Sequence, residues 1–132
     1  MTIGLIRASG AVAIRLLCSA LRAQTHTATG ARALISVTTG AGDTTNGYHS
    51  IITDTTGTGG PAIGFYALFS NTSGSYNTAQ GSSVLRYAAT ASAIPATGCQ
   101  GLYLILTGTD MTSDGDLSLS LTAGSQNTAV VP

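Results

Sequence analysis

The sequence predicts an all-β fold, a parallel β-solenoid (β-roll) of about six 17-residue coils. Three observations carry the prediction. Glycine recurs with a 17-residue spacing at Gly30, Gly47, Gly64, Gly81, Gly98 and Gly115. Four residues after each stands a branched aliphatic: Leu34, Ile51, Leu68, Leu85, Leu102 and Leu119. Each period also holds two short apolar segments between Gly-marked turns, where glycine supplies positive φ at corners. Fixed-period self-similarity of this kind marks a stacked repeat, and 17 residues are too few for two helices and their turns.

Residues 1–25 are the least repeat-like. Arg7, Arg15 and Arg22 lie there in an apolar background without an acidic residue, and Leu17 is the only trace of the aliphatic column. We read this segment as an N-terminal cap or a degenerate first coil. Residues 26–126 form the solenoid, and 127–132 open a further, incomplete coil. A second glycine follows ten residues after each marker at Gly40, Gly57, Gly74 and Gly108, with Ala91 in the fourth copy; Gly124 arrives one residue early, which implies a single-residue deletion. Two residues before each marker stands a small side chain: Ala28, Thr45, Ala62, Ala79, Ala96 and Ser113.

Around the aliphatic column, period-two alternation predicts that Leu102, Leu104 and Leu106, and Leu117, Leu119 and Leu121, face the coil interior. In the middle coils the opposite face is apolar too, with Tyr48, Ser50 and Ile52 in one and Phe65, Ala67 and Phe69 in the next. A face of that kind, with Ile35, Ile52, Phe65, Phe69 and Tyr103 exposed on an isolated monomer, calls for a second copy of the chain.

Composition narrows the function classes. The 132 residues carry no net charge and only 8% charged side chains, with no Lys or Glu, so no nucleic-acid or acidic-lipid partner is expected. The first four arginines (Arg7, Arg15, Arg22, Arg32) precede Asp110, Asp114 and Asp116, a polarity that favours head-to-tail stacking of chains. No apolar run approaches the ~18 residues of a membrane span.

No nucleophile, phosphate or dinucleotide motif is present, so no enzyme, catalytic residue or cofactor is predicted. His26 and His49 lack metal-ligand spacing and read as polar turn residues, and Asp110, Asp114 and Asp116 as a solvated turn. Cys18 and Cys99 lie nearly five periods apart, on the order of 23 Å along the stack, beyond the ~7 Å reach of a disulfide. Both read as buried small hydrophobes.

Ala62–Gly64 with Ala67 and Leu68, followed by Asn71–Ala79 (NTSGSYNTA), resembles the repeat of trimeric autotransporter adhesin heads and related phage and bacterial fibre proteins. The likeness is strong over Gly60–Gly81 and thins out across His26–Gln126, where Pro61 and Pro95 replace a threonine of the family phrase. The resemblance implies a left-handed roll, a homotrimer, an extracellular, cell-surface or virion location, and a structural or adhesive role with a host-surface ligand.

A rival reading comes from the hydroxyls beside the second glycine: Thr39, Thr56, Thr58, Ser73, Ser75, Thr90, Thr107 and Thr109. Two parallel ranks on one strip would resemble the Thr-x-Thr faces of ice-binding β-solenoids. In the first reading the same residues simply close a turn.

Overall fold

A computed structural model of the chain describes residues 6–9, 26–34, 39–120 and 124–131. Cys18, Leu17, Ile35 and Leu121 lie outside them. Eight short strands form one parallel sheet in sequence order: β1 (Ile6–Ser9), β2 (His26–Thr29), β3 (Thr44–Asn46), β4 (Pro61–Ile63), β5 (Thr78–Gln80), β6 (Pro95–Thr97), β7 (Thr112–Asp114) and β8 (Thr128–Val130). The result is a β-solenoid of about six turns, with no helix among the described residues.

Register follows the repeat: Ala62 pairs with Ala79 and Ala79 with Ala96, one period apart. The last step is one residue shorter, Ser113 to Ala129, which places the deletion read from Gly124 in the coil between β7 and β8. The first step is longer, Ala8 to Ala28, so β1 joins the sheet without keeping the 17-residue frame.

The strands end just before the marker glycines rather than at the aliphatic column. Their central residues are the small ones, and Ala28, Thr45, Ala62, Ala79, Ala96 and Ser113 all turn inward and are buried. The larger buried side chains enter the interior from other columns, Leu34, Ile51, Leu68, Leu85 and Leu102 among them. Pro61 and Pro95 occupy the exposed first positions of β4 and β6, where a missing N–H is tolerated.

After each strand the chain turns. The marker glycines have φ between 103° and 157°, and a Cβ on Gly64 would strike the carbonyl of Gly81 in the next coil. The aliphatic column then follows in the left-handed region, from 44° at Ile51 to 51° at Leu34. Residues two past each glycine, such as His49 and Tyr66, and twelve past, such as Tyr76 and Ala93, are left-handed as well. A left-handed residue reverses the direction of its peptide groups, which turns hydrogen bonds alternately up and down the stack. Tyr66 donates its N–H back to the Tyr48 carbonyl, whereas Leu68 donates forward to Val84. Such residues carry a steric cost of about 1–2 kcal/mol each, and the ladder on both sides holds them in place.

This backbone overturns the alternation expected around the leucines. Adjacent residues Ala67 and Leu68, and Val84 and Leu85, are both buried, because the turn conformation, not a strand, sets their direction. Leu102 and Ile105 are buried, while Leu104 and Leu106 are 36% and 60% exposed, and Leu117 faces out beside the partly buried Leu119. The middle coils are corrected in the same way: Ser50 and Ala67 are buried, and of the six residues expected on that face only Tyr48 and Phe65 project strongly into solvent.

Candidate functional site: an aromatic face, hydroxyl ranks and a buried polar column

Six of the seven Tyr and Phe side chains collect on one flank of the solenoid. The repeat brings them together, since Tyr48 and Phe65 are one period apart and their rings stack at 5.6 Å with planes 10° apart. Tyr66 meets Phe65 edge-on at 4.4 Å, Phe69 lies 4.9 Å from Tyr66, and Tyr87 packs edgewise on Tyr103 at 5.3 Å. Arg86 ties the two groups, its guanidinium carbon 4.2 Å from the Tyr66 ring centre and within 6 Å of Phe69, Tyr87 and Tyr103. Contacts of this kind are worth about 0.5–2 kcal/mol each. Its Nη1 donates to the Tyr103 hydroxyl at 3.5 Å, but Nε is buried without a partner. Arg32 touches His49 Nε2 at 3.3 Å. Burial and the positive charge of Arg32 both lower the His49 pKa, keeping the ring neutral on this face.

The hydroxyl strip divides into two unlike ranks. Thr39, Thr56, Ser73, Thr90 and Thr107 are all exposed. In the second rank Thr58 and Ser75 are half-buried, and their neighbours use the oxygens: Thr58 N–H donates to Ser75 Oγ at 3.1 Å and Ser75 N–H to Ser92 Oγ at 3.0 Å. Thr109 is exposed, and its N–H likewise donates to Ser125 Oγ. Hydroxyls in this rank join coils and do not form an open lattice. Outward threonines of the sheet, Thr27, Thr44, Thr78 and Thr112, are interrupted by Pro61 and Pro95.

Inside the solenoid two columns change character along the axis. One runs His26, Asp43, Gly60, Asn77, Ile94 and Met111, and the other Asp54, Asn71, Ala88 and Ile105, and all are buried. His26 was expected in a polar turn; it sits instead in β2, 3% exposed, with Nδ1 3.2 Å from Asp43 Oδ2. The Asp43 N–H approaches the same nitrogen at 3.4 Å. His26 Nε2 is buried without a hydrogen-bond partner.

Asp54 accepts the Gly57 N–H at 2.7 Å. Burial, and secondly the charge of Asp43, push its pKa up to about 7, against the opposing pull of the Gly57 N–H, Asn71 and His26. Asn77 bridges coils, its Nδ2 donating to the Ala91 carbonyl at 2.6 Å and its Oδ1 accepting from Ile94 N–H.

No group of three or more His, Cys, Asp or Glu side chains among the described residues is arranged to hold a metal. Asp110, Asp114 and Asp116 are exposed, with Asp114 in β7 and not in a turn. Cys99, expected to be buried, is exposed at the corner after Gly98. Among the described residues no helix is long and apolar enough to cross a membrane. Sequence reading singled out Phe65, Phe69 and Tyr103 but missed Arg86 and the His26–Asp43–Asp54 group; the signal for both lies in reading every column of the 17-residue frame, not only the glycine and leucine ones. No protein-family model, curated protein or solved structure matches the chain.

Proposed function

We propose that the chain is a structural and adhesive repeat segment of a surface or virion fibre, acting outside the cell as a rigid β-roll that associates through its aromatic flank. The supporting observation is the exposure of the stacked Tyr48 and Phe65 rings, 43% and 50%, beside a half-buried cluster of four more aromatic rings. Contiguous apolar surface of this kind marks an interaction site, and here the exposed rings also stack on one another across coils. Homotrimer formation, as in the fibres the repeat resembles, is one way to cover it, leaving the remaining flanks for a host-surface ligand. Ice binding has less support, because hydroxyls of the second rank, and those of Thr39 and Thr90 in the first, are engaged in holding coils together.

Light scattering coupled to size exclusion tests the reading. The wild-type chain is expected to run above its monomer mass of 13.1 kDa, and a Tyr48→Ser/Phe65→Ser variant at that mass. A wild-type monomer at high micromolar concentration would refute association through this flank.

A further inference from the structure

The aromatic flank is electrically polar along its length. Tyr48 and Phe65 belong to a column that continues through Ser82 and Cys99 to Asp116, and Cys99 N–H donates to Asp116 Oδ1 at 2.7 Å, which fixes that acid in line with them. Arg32 stands at the other end, next to the column in the coil that begins at Gly30. Arg32 and Asp116 are both exposed, and neither has an ion-pair partner among the described residues. Five coils separate them, about 24 Å at the strand spacing. The rings and Arg86 lie between, centred on the coils of Gly64 and Gly81.

We propose that two copies of this chain pack side by side and antiparallel through this flank, about a two-fold axis between the coils of Gly64 and Gly81. The proposal rests on the flank being an association surface and adds to it an occupant and an orientation. In that pairing Arg32 of each copy meets Asp116 of the other, Phe69 meets Arg86, and Tyr48 meets Cys99. A two-fold interface is self-complementary by construction, and the flank satisfies that condition for charge. In a parallel, in-register arrangement each coil lies beside the same coil of its neighbour, which keeps Arg32 five coils from any Asp116 and leaves both charges without that partner. Opposite charges that pair in one arrangement and not in the other select between them, while ring burial supplies affinity in either one.

Cysteine crosslinking and a charge swap test the orientation. In a Cys18→Ser background the chain keeps Cys99 as its one thiol. Mild oxidation should leave that protein uncrosslinked, because antiparallel copies hold their Cys99 side chains three coils apart, about 14 Å, beyond disulfide reach. Adding Tyr48→Cys should yield a disulfide-linked dimer whose peptide map joins position 48 of one copy to Cys99 of the other. Arg32→Asp should weaken dimerisation roughly tenfold through two altered charge pairs, and Arg32→Asp/Asp116→Arg should recover most of that loss.

A Cys99–Cys99 disulfide in the Cys18→Ser protein, or association that the double swap fails to rescue, would overturn the antiparallel pairing while leaving association through the flank standing. A chain that stays monomeric would overturn both.

Discussion

The two halves of the solenoid interior share one backbone frame and fill it with opposite chemistry. Toward β2 and β3 the inward columns hold His26, Asp43, Asp54 and Asn71; toward β6 and β7 the same positions hold Ala88, Ile94, Ile105 and Met111. The comparison shows that the stacked backbone does not demand an apolar centre, even though His26 Nε2 and Asp43 Oδ2 are left there without a hydrogen-bond partner. Asp54 and Asn71 close onto glycine turns, Asp54 through the Gly57 N–H and Asn71 through the Gly74 carbonyl at 2.9 Å. In the other half the same positions are filled by the apolar core, so the halves should respond differently to the same insult.

The largest effect is expected from Ile105→Asp. A carboxylate at that site would replace a fully buried aliphatic side chain that belongs to the apolar core together with Ala88, and a loss of about 4 kcal/mol or more is expected in chemical denaturation. Tolerance of Ile105→Asp, in the half where the column is otherwise Ala88, would dissolve the distinction between the halves.

Truncating the aliphatic column should show no such asymmetry. Leu34, Leu68 and Leu102 are each at most 2% exposed, and changing any of them to Ala should cost roughly 2–5 kcal/mol. A Leu68→Ala loss below about 1 kcal/mol would remove this column from the core.

The polar half should carry a pH dependence that the apolar half lacks. The Asp54 pKa is raised from 3.8 to about 7, so between those values the folded chain keeps a proton that the unfolded chain has released. Stability from this group is therefore fully present below 3.8, declines as pH rises toward 7 and is flat beyond. The slope approaches 1.4 kcal/mol per pH unit for one proton. Asp54→Asn, which reproduces the Asn71 of the next coil, should flatten the denaturation midpoint between pH 5 and 8 and raise it at the alkaline end. A wild-type midpoint that rises across that range would contradict the burial of Asp54 as a protonated group.

At the small end lies Thr56→Ala on the exposed hydroxyl rank, where a change within about 0.5 kcal/mol is expected in thermal melts.

Much of this architecture was legible because a repeat repeats its physics. Gly64 and its column need positive φ and stand against the backbone of the next coil, so no other residue replaces them in six copies, and the period could be read directly. The direction of Leu104 and Leu106 was not legible. Alternation is a property of strands, and the left-handed conformation of Leu102 leaves no mark in composition, since leucine rarely adopts it without a ladder on both sides. His26 was misread for a related reason: its partner Asp43 is distant in sequence and becomes a neighbour only when the 17-residue frame is applied to that column. The aromatic flank was half legible, because Phe65 and Phe69 announce an apolar surface but the place of Arg86 among four rings depends on how adjacent corners stack.

The constant register of β2 through β7 makes this molecule a ruler. Each 17-residue unit adds one step of about 4.8 Å to a rod, and the shorter step into β8 shows that a lost residue is absorbed within one coil without breaking the ladder. Reach is therefore counted in whole units. Removing residues 60–76 would shorten the rod by one step and set Asn77 directly over Asp43, with every glycine and leucine still in line, whereas removing half as many residues would put corners over strands.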